Sequence, residues 1–142
     1  MKMDVVTKDP PTYFISGHLD LTPEEFNEHY APRLLAAHEN HARFVVGDAP
    51  GADEMSQRFL YALGVQRPNG DILRGRQLDV RVFHMFEAPR HNCEFPTVGG
   101  FTSDEARDAA MTAASLDDIA WVRPGREKSG TAKSLARRAR GR

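Results

Sequence analysis

The sequence predicts an α/β protein built on a mostly parallel, doubly wound sheet with helices on both faces. Two observations carry that prediction. Four short β-prone runs alternate with four helical patterns in the order β-α-β-α-β-α-β-α, and strands separated by helices in this way require right-handed crossovers and parallel pairing. Three segments at strand ends then turn glycine-rich or polar: Ser16-Gly17-His18, Gly47 to Asp53, and Pro124 to Thr131. In open parallel sheets ligands sit beyond the carboxyl ends of the strands. The 142 residues, 40% hydrophobic and 27% charged, fit one globular domain over residues 1–142, long enough to bury its own core. Residues 1–11 and 139–142 are expected as flexible ends.

The elements follow in order. Thr12 to Ser16 is β-prone and is stopped by Gly17. From Thr22 to Asn40 the pattern is helical: Thr22 and Glu25 form a capping box, Pro23 suits the first helical position, and Phe26, Tyr30 and Leu34 recur every four residues. Pro32 predicts a kink or break near Ala31. Ala42 to Val46 is the second strand, and a helix from about Ala52 to Leu63 stops at Gly64. Arg67 to Gln77 is polar and reads as an exposed loop. Val80 to Phe86 is the third strand. Ala88 to Phe101, with two prolines, two glycines and no periodicity, reads as a long loop. A helix opens at Ser103 and Glu105 and runs to about Ser115. Ile119 to Val122 is the fourth strand, and Gly130 to Arg140 the last helix.

Charge and cysteine usage exclude several classes. Nineteen Lys+Arg against twenty Asp+Glu give a formal charge of -1, which argues against a dedicated nucleic-acid binder. The single cysteine, Cys93, forms no internal bridge, consistent with a reducing cytoplasm. No apolar run approaches the ~20 residues of a membrane helix, and the start lacks the apolar stretch of a secretory signal. A cytoplasmic protein without membrane partners is expected. His84, Glu87, His91 and Cys93 fall close together, but their spacing fits neither a helical i, i+4 pair nor a zinc finger, so no metal is expected. Cys93 has no identifiable base to activate it. No cofactor signature is present, neither GxGxxG nor a Walker P-loop.

Three segments suit ligand chemistry. Pro124-Gly125-Arg126-Glu127-Lys128-Ser129-Gly130-Thr131 opens the last helix. The first-turn amides of a helix have no internal acceptors and the dipole adds partial positive charge, so the turn suits a phosphate, with Lys128 adding charge and Gly130 allowing close approach. The same residues also read as an ordinary capped turn. In Gly47-Asp48-Ala49-Pro50-Gly51-Ala52-Asp53, the aspartates suit ribose hydroxyls or a base edge, while Asp53 reads equally as a helix cap. At Ser16-Gly17-His18-Leu19-Asp20, His18 suits a phosphate or sugar and Asp20 a base; a strand-end turn with a surface histidine is the alternative. Arg107, on the helix before the last strand, suits bidentate phosphate contact or plain solvation. The arginines at 137, 138, 140 and 142 suit a helix C-terminus better than a nucleic-acid tail.

Taken together, strand-Gly47-x-x-x-Gly51-Ala52-Asp53, Arg107-Asp108-x-x-Met111 and Ser129-Gly130-Thr131 after a strand resemble the SLOG superfamily. This is the Rossmann-like nucleotide-binding group that includes the LOG-type phosphoribohydrolases and the DprA-like DNA-processing proteins. The resemblance covers roughly residues 12–138. It implies a three-layer sheet, a nucleotide or other phosphorylated small molecule with its phosphate at Ser129–Thr131 and its sugar or base near Gly47–Asp53, and a homodimer. LOG-type hydrolases carry a catalytic glutamate in the stretch matching Glu127 to Ser134, where this chain has Ser134; a serine supplies no carboxylate. The expectation is therefore a nucleotide-binding protein, a sensor or carrier. The alternatives are an N-glycoside hydrolase acting on a nucleoside 5′-monophosphate, with Asp20, Asp53 or Glu54 as the carboxylate and Arg107 assisting, and an interaction module using the arginine-rich end.

Overall fold

The computed structural model describes residues 10–65 and 79–140. The elements are β1 (Thr12–Ile15), α1 (Pro23–His29), α2 (Ala31–Glu39), β2 (Arg43–Val46), α3 (Ala52–Val65), β3 (Val80–Met85), β4 (Thr97–Phe101), α4 (Asp104–Ala113), β5 (Asp117–Ile119) and α5 (Gly130–Arg140). All five strands are parallel, in the order β4-β3-β2-β1-β5. The expected α/β class therefore holds. The chain lays β1 to β4 outward in one direction and then returns to place β5 on the other side of β1. Between β1 and β5 the strand order reverses, and the loops leaving the two strands diverge.

Both sheet faces are buried, as parallel strands require. Ile15, Phe44, Val46, Val80 and Val82 face α1, α2 and α3, which contribute Phe26, Tyr30, Leu34 and Leu60. Phe14, Val45 and Phe83 point the opposite way and meet Met111 of α4, with α5 packed beside α4. Each such fully buried large side chain contributes about 1.5–3 kcal/mol of transfer free energy. The helical stretch breaks where Pro32 predicts. Tyr30 ends α1 and precedes α2, and the capping box is formed: the Glu25 N–H donates to Thr22 Oγ1 at 3.1 Å and the Thr22 N–H to Glu25 Oε1 at 3.0 Å.

Several expectations need correction. The long loop expected over 88–101 ends in a strand, β4, whose run Thr-Val-Gly-Gly-Phe is too glycine-rich to signal itself. Gly99 is there for packing, since a Cβ on it would overlap the His84 ring. The last strand lies at Asp117–Ile119 rather than at 119–122. Its outer edge is closed by Arg33 of α2, which donates to the carbonyls of Asp118 at 3.1 Å and Ala120 at 2.9 Å, so an edge that could pair with another chain is blocked. The helix expected to stop at Gly64 runs to Val65. Pro11 accepts from the Arg43 N–H at 2.8 Å, and Ala139 and Arg140 belong to α5, so these residues of the expected flexible ends are ordered. The other end residues and the expected loop at 67–77 lie outside the described residues. Among the described residues no helix is long and apolar enough to cross a membrane.

Candidate functional site

At the switch point a cleft of about 550 Å³ opens beyond the carboxyl ends of β1 and β5. The loop after β1 gives Ser16, Gly17, His18 and Asp20 to its wall; the loop after β2 and the start of α3 give Ala49 and Asp53; α4 gives Arg107 and Asp108; the start of α5 gives Ser129, Gly130, Thr131 and Ser134. The three segments singled out in the sequence thus meet in one cleft. Gly47, Asp48, Gly51, Ala52, Glu54 and Pro124 are not on its wall. Gly125 and Lys128 line a neighbouring cavity of about 400 Å³ that shares Arg126 and Ser129 with the cleft.

The residues off the wall hold it in place. Gly51 has φ +79°, and a Cβ there would overlap the carbonyls of His18 and Leu19, so only glycine lets the two loops touch. The Ala52 N–H donates to His18 O at 3.1 Å across the same contact. Asp48 is fully buried; it accepts from the Arg90 N–H at 2.7 Å and the Arg90 guanidinium at 3.0 Å, and pairs with Arg107. Glu54 pairs with Arg58 at 2.9 Å, away from the cleft.

The two guanidinium groups facing the cleft differ in how firmly they are held. Arg107 is buried with Nη1, Nη2 and Nε each 3.3 Å from a different carboxylate, those of Asp48, Asp104 and Asp108. Withdrawing it would break three ion pairs at once, although buried Asp48 would keep its pair with Arg90 at 3.0 Å. Arg107 therefore braces the wall, and the free phosphate donor considered for it is not what this geometry provides. Arg126 instead pairs with exposed Asp20, an arrangement worth only about 0–1 kcal/mol.

The start of α5 combines both readings of its sequence. Ser129 does cap the helix, its Oγ accepting from the Ala132 N–H at 3.2 Å. That leaves the amides of Gly130 and Thr131, which have no intrahelical acceptor. A Cβ built on Gly130 would meet nothing within 4 Å, so the approach is open. Thr131 and Ser134, 5% and 2% exposed, line the cleft. Ser16 Oγ, also of a cleft-lining residue, is buried without a hydrogen-bond partner among the described residues.

Titration behaviour separates the acids. Burial pushes the Asp53 carboxyl up to about 7, against the Ala49 N–H that donates to its Oδ2 at 3.1 Å and the nearby Arg107. Burial also raises Asp108. Asp20 is held below the usual carboxylate range by the Arg126 guanidinium and then by Arg123, which makes it a weak base. His18 is buried, and its Nε2 accepts from the Arg123 N–H at 2.8 Å, which fixes the neutral ring with its proton on Nδ1. Burial, then Arg123 and Arg126, lower its pKa. Trp121, in the loop leaving β5, stacks on His29 at 4.1 Å and meets His18 of the β1 loop edge-on at 5.9 Å.

Elsewhere, His84 lies under β4 with Nδ1 3.2 Å from Met85 O, and Cys93 Sγ is 3.6 Å from His91 Nε2. Burial raises the Cys93 thiol, the opposite of activation. Among the described residues no group of three or more His, Cys, Asp or Glu is placed to hold a metal ion.

Fold and cleft together define a parallel α/β protein with a cleft at the topological switch point whose lining includes hydroxyl, carboxyl and guanidinium side chains. Comparison with known protein families, curated sequences and solved structures finds no match to the chain.

Proposed function

We propose that the protein binds a nucleotide, or a nucleotide-derived phosphorylated small molecule, in the switch-point cleft, as a sensor or carrier of the SLOG type. The observation that carries this reading is the start of α5, where two first-turn amides without an intrahelical acceptor and an unobstructed Gly130 stand beside Thr131 and Ser134 on the cleft wall. Helix starts of this kind suit phosphate groups. The carboxylates of Asp53 and Asp108 on the facing wall suit ribose hydroxyls. Thermal unfolding against a panel of nucleotides and sugar phosphates tests the reading: a ligand at 100 times its dissociation constant stabilises by about 2.7 kcal/mol. A panel without any stabilising member contradicts it. The resemblance to SLOG proteins also supports a homodimer, which sedimentation equilibrium checks.

A second reading, hydrolysis of the N-glycosidic bond of a nucleoside 5′-monophosphate, is favoured by one observation: Asp53 is a cleft carboxyl whose pKa sits near neutrality. Such a group both gives and takes protons at working pH. Base release that disappears in Asp53→Asn would establish it. The nucleic-acid reading loses support because Arg138 is engaged with Asp118 at 2.6 Å and with Ser115.

A further inference from the structure

Among the described residues, the cleft wall carries one cation, Arg126, that is free to change partners. Arg126 Nη2 lies 2.9 and 3.0 Å from the two oxygens of Asp20, and both side chains are solvent-accessible, at 40% and 62%. Its backbone is fixed: the Arg126 N–H donates to Arg123 O at 2.9 Å, and Arg126 O accepts from the Ser129 N–H at 3.1 Å. The side chain can therefore swing while its root stays tied to the first turn of α5, beside the cleft-lining residues Thr131 and Ser134. Asp20 does not lose all compensation when Arg126 leaves, because Arg123 Nη1 remains 3.1 Å from its Oδ1. Arg107 has no such freedom among its three carboxylates.

We infer that Arg126 is the specificity-determining cation of the cleft: it turns from Asp20 onto the ligand's phosphoryl group, and Asp20 is the internal competitor that the ligand must displace. The inference rests on the phosphorylated-ligand reading above. Its chemical consequence is selection. A ligand carboxylate matches Asp20 in charge and geometry and gains nothing by exchange. A phosphoryl dianion brings more charge and a further oxygen, and its charge-assisted bonds to a guanidinium are the stronger ones.

The test is calorimetric titration with adenosine 5′-monophosphate, and with inorganic phosphate as the minimal probe. Asp20→Asn, by removing the competitor, should tighten binding about 2- to 5-fold. Arg126→Gln should weaken it about tenfold. In the Arg126→Gln background Asp20→Asn should bring no gain, which separates exchange from a general change of charge. Equal or weaker binding by Asp20→Asn, or a gain that persists without Arg126, overturns the inference. The underlying reading is judged by Thr131→Val/Ser134→Ala: loss of phosphate binding there keeps the reading whatever Asp20 does. Absence of binding by wild type and Asp20→Asn alike overturns both.

Discussion

The Tyr30 hydroxyl donates to the Ser16 carbonyl at 2.7 Å, so the residue between α1 and α2 reaches across the core to the loop leaving β1. The same oxygen accepts from the Trp121 N–H at 3.1 Å, which ties the loop leaving β5 to the same point. One buried hydroxyl thus ties together the loops leaving β1 and β5, two of the segments at the cleft. Gly17 makes room for it, since a Cβ there would overlap the Tyr30 hydroxyl. Burial pushes the Tyr30 pKa up to about 12 and keeps the group a donor at any working pH.

Tyr30→Phe leaves both loop groups without their partner while preserving the ring and its stack on Phe26. The expected loss is about 1–3 kcal/mol of stability. Denaturant unfolding measures it, and a slope unchanged from wild type shows that the fold itself is kept.

His18 makes the protein acid-sensitive. Its folded pKa lies below the ordinary 6.5 because the ring is buried beside arginines and accepts the Arg123 N–H. Between the folded value and 6.5 the unfolded chain binds the proton and the native chain does not. The stability due to neutral His18 is therefore complete above pH 6.5 and declines as pH falls through that window. His18→Gln, which keeps an acceptor without titrating, should flatten this limb when melting temperature is followed from pH 7 to pH 5.

Asp53 acts in the opposite direction. Its folded value of about 7 stands above the ordinary 3.8, so between those values the native state holds a proton that the unfolded state has lost. Stability contributed by the buried neutral acid declines as pH rises through 3.8 to 7 and leaves a deficit above it. Asp53→Asn retains an oxygen for the Ala49 N–H and carries no charge. It should stabilise the protein at pH 8.5 by on the order of 2 kcal/mol and have little effect at pH 4. An acid held at such a disadvantage is the usual mark of a functional position.

What the sequence revealed was local. The Thr22–Glu25 capping box, the break before Pro32 and the helix starting at Gly130 are written in neighbouring residues, and each is present. β4 was hidden because Gly99 answers to the His84 ring rather than to strand propensity. β5 was misplaced because Trp121 and Val122 look more strand-like than Asp117 and Asp118. The Asp118 carboxylate is neutralised by Arg138 from α5, and Arg33 of α2 takes the Asp118 carbonyl, partners too far along the chain to be read in advance. The cleft divides in the same way. Ser16–His18 and Ser129–Thr131 announce themselves as a strand end and a helix start. The bracing of Arg107 by Asp48 and the hold of Asp20 on Arg126 exist only once distant segments meet.

The most direct test of the account follows the backbone amides of Gly130 and Thr131 by NMR during titration with a nucleoside 5′-monophosphate. The expected result is saturable shifts that are largest at these two amides and at Ser134, with smaller ones at Ser16 and Asp53. A nucleotide that binds while leaving the first turn of α5 unmoved, or that perturbs no residue of the cleft, contradicts the account.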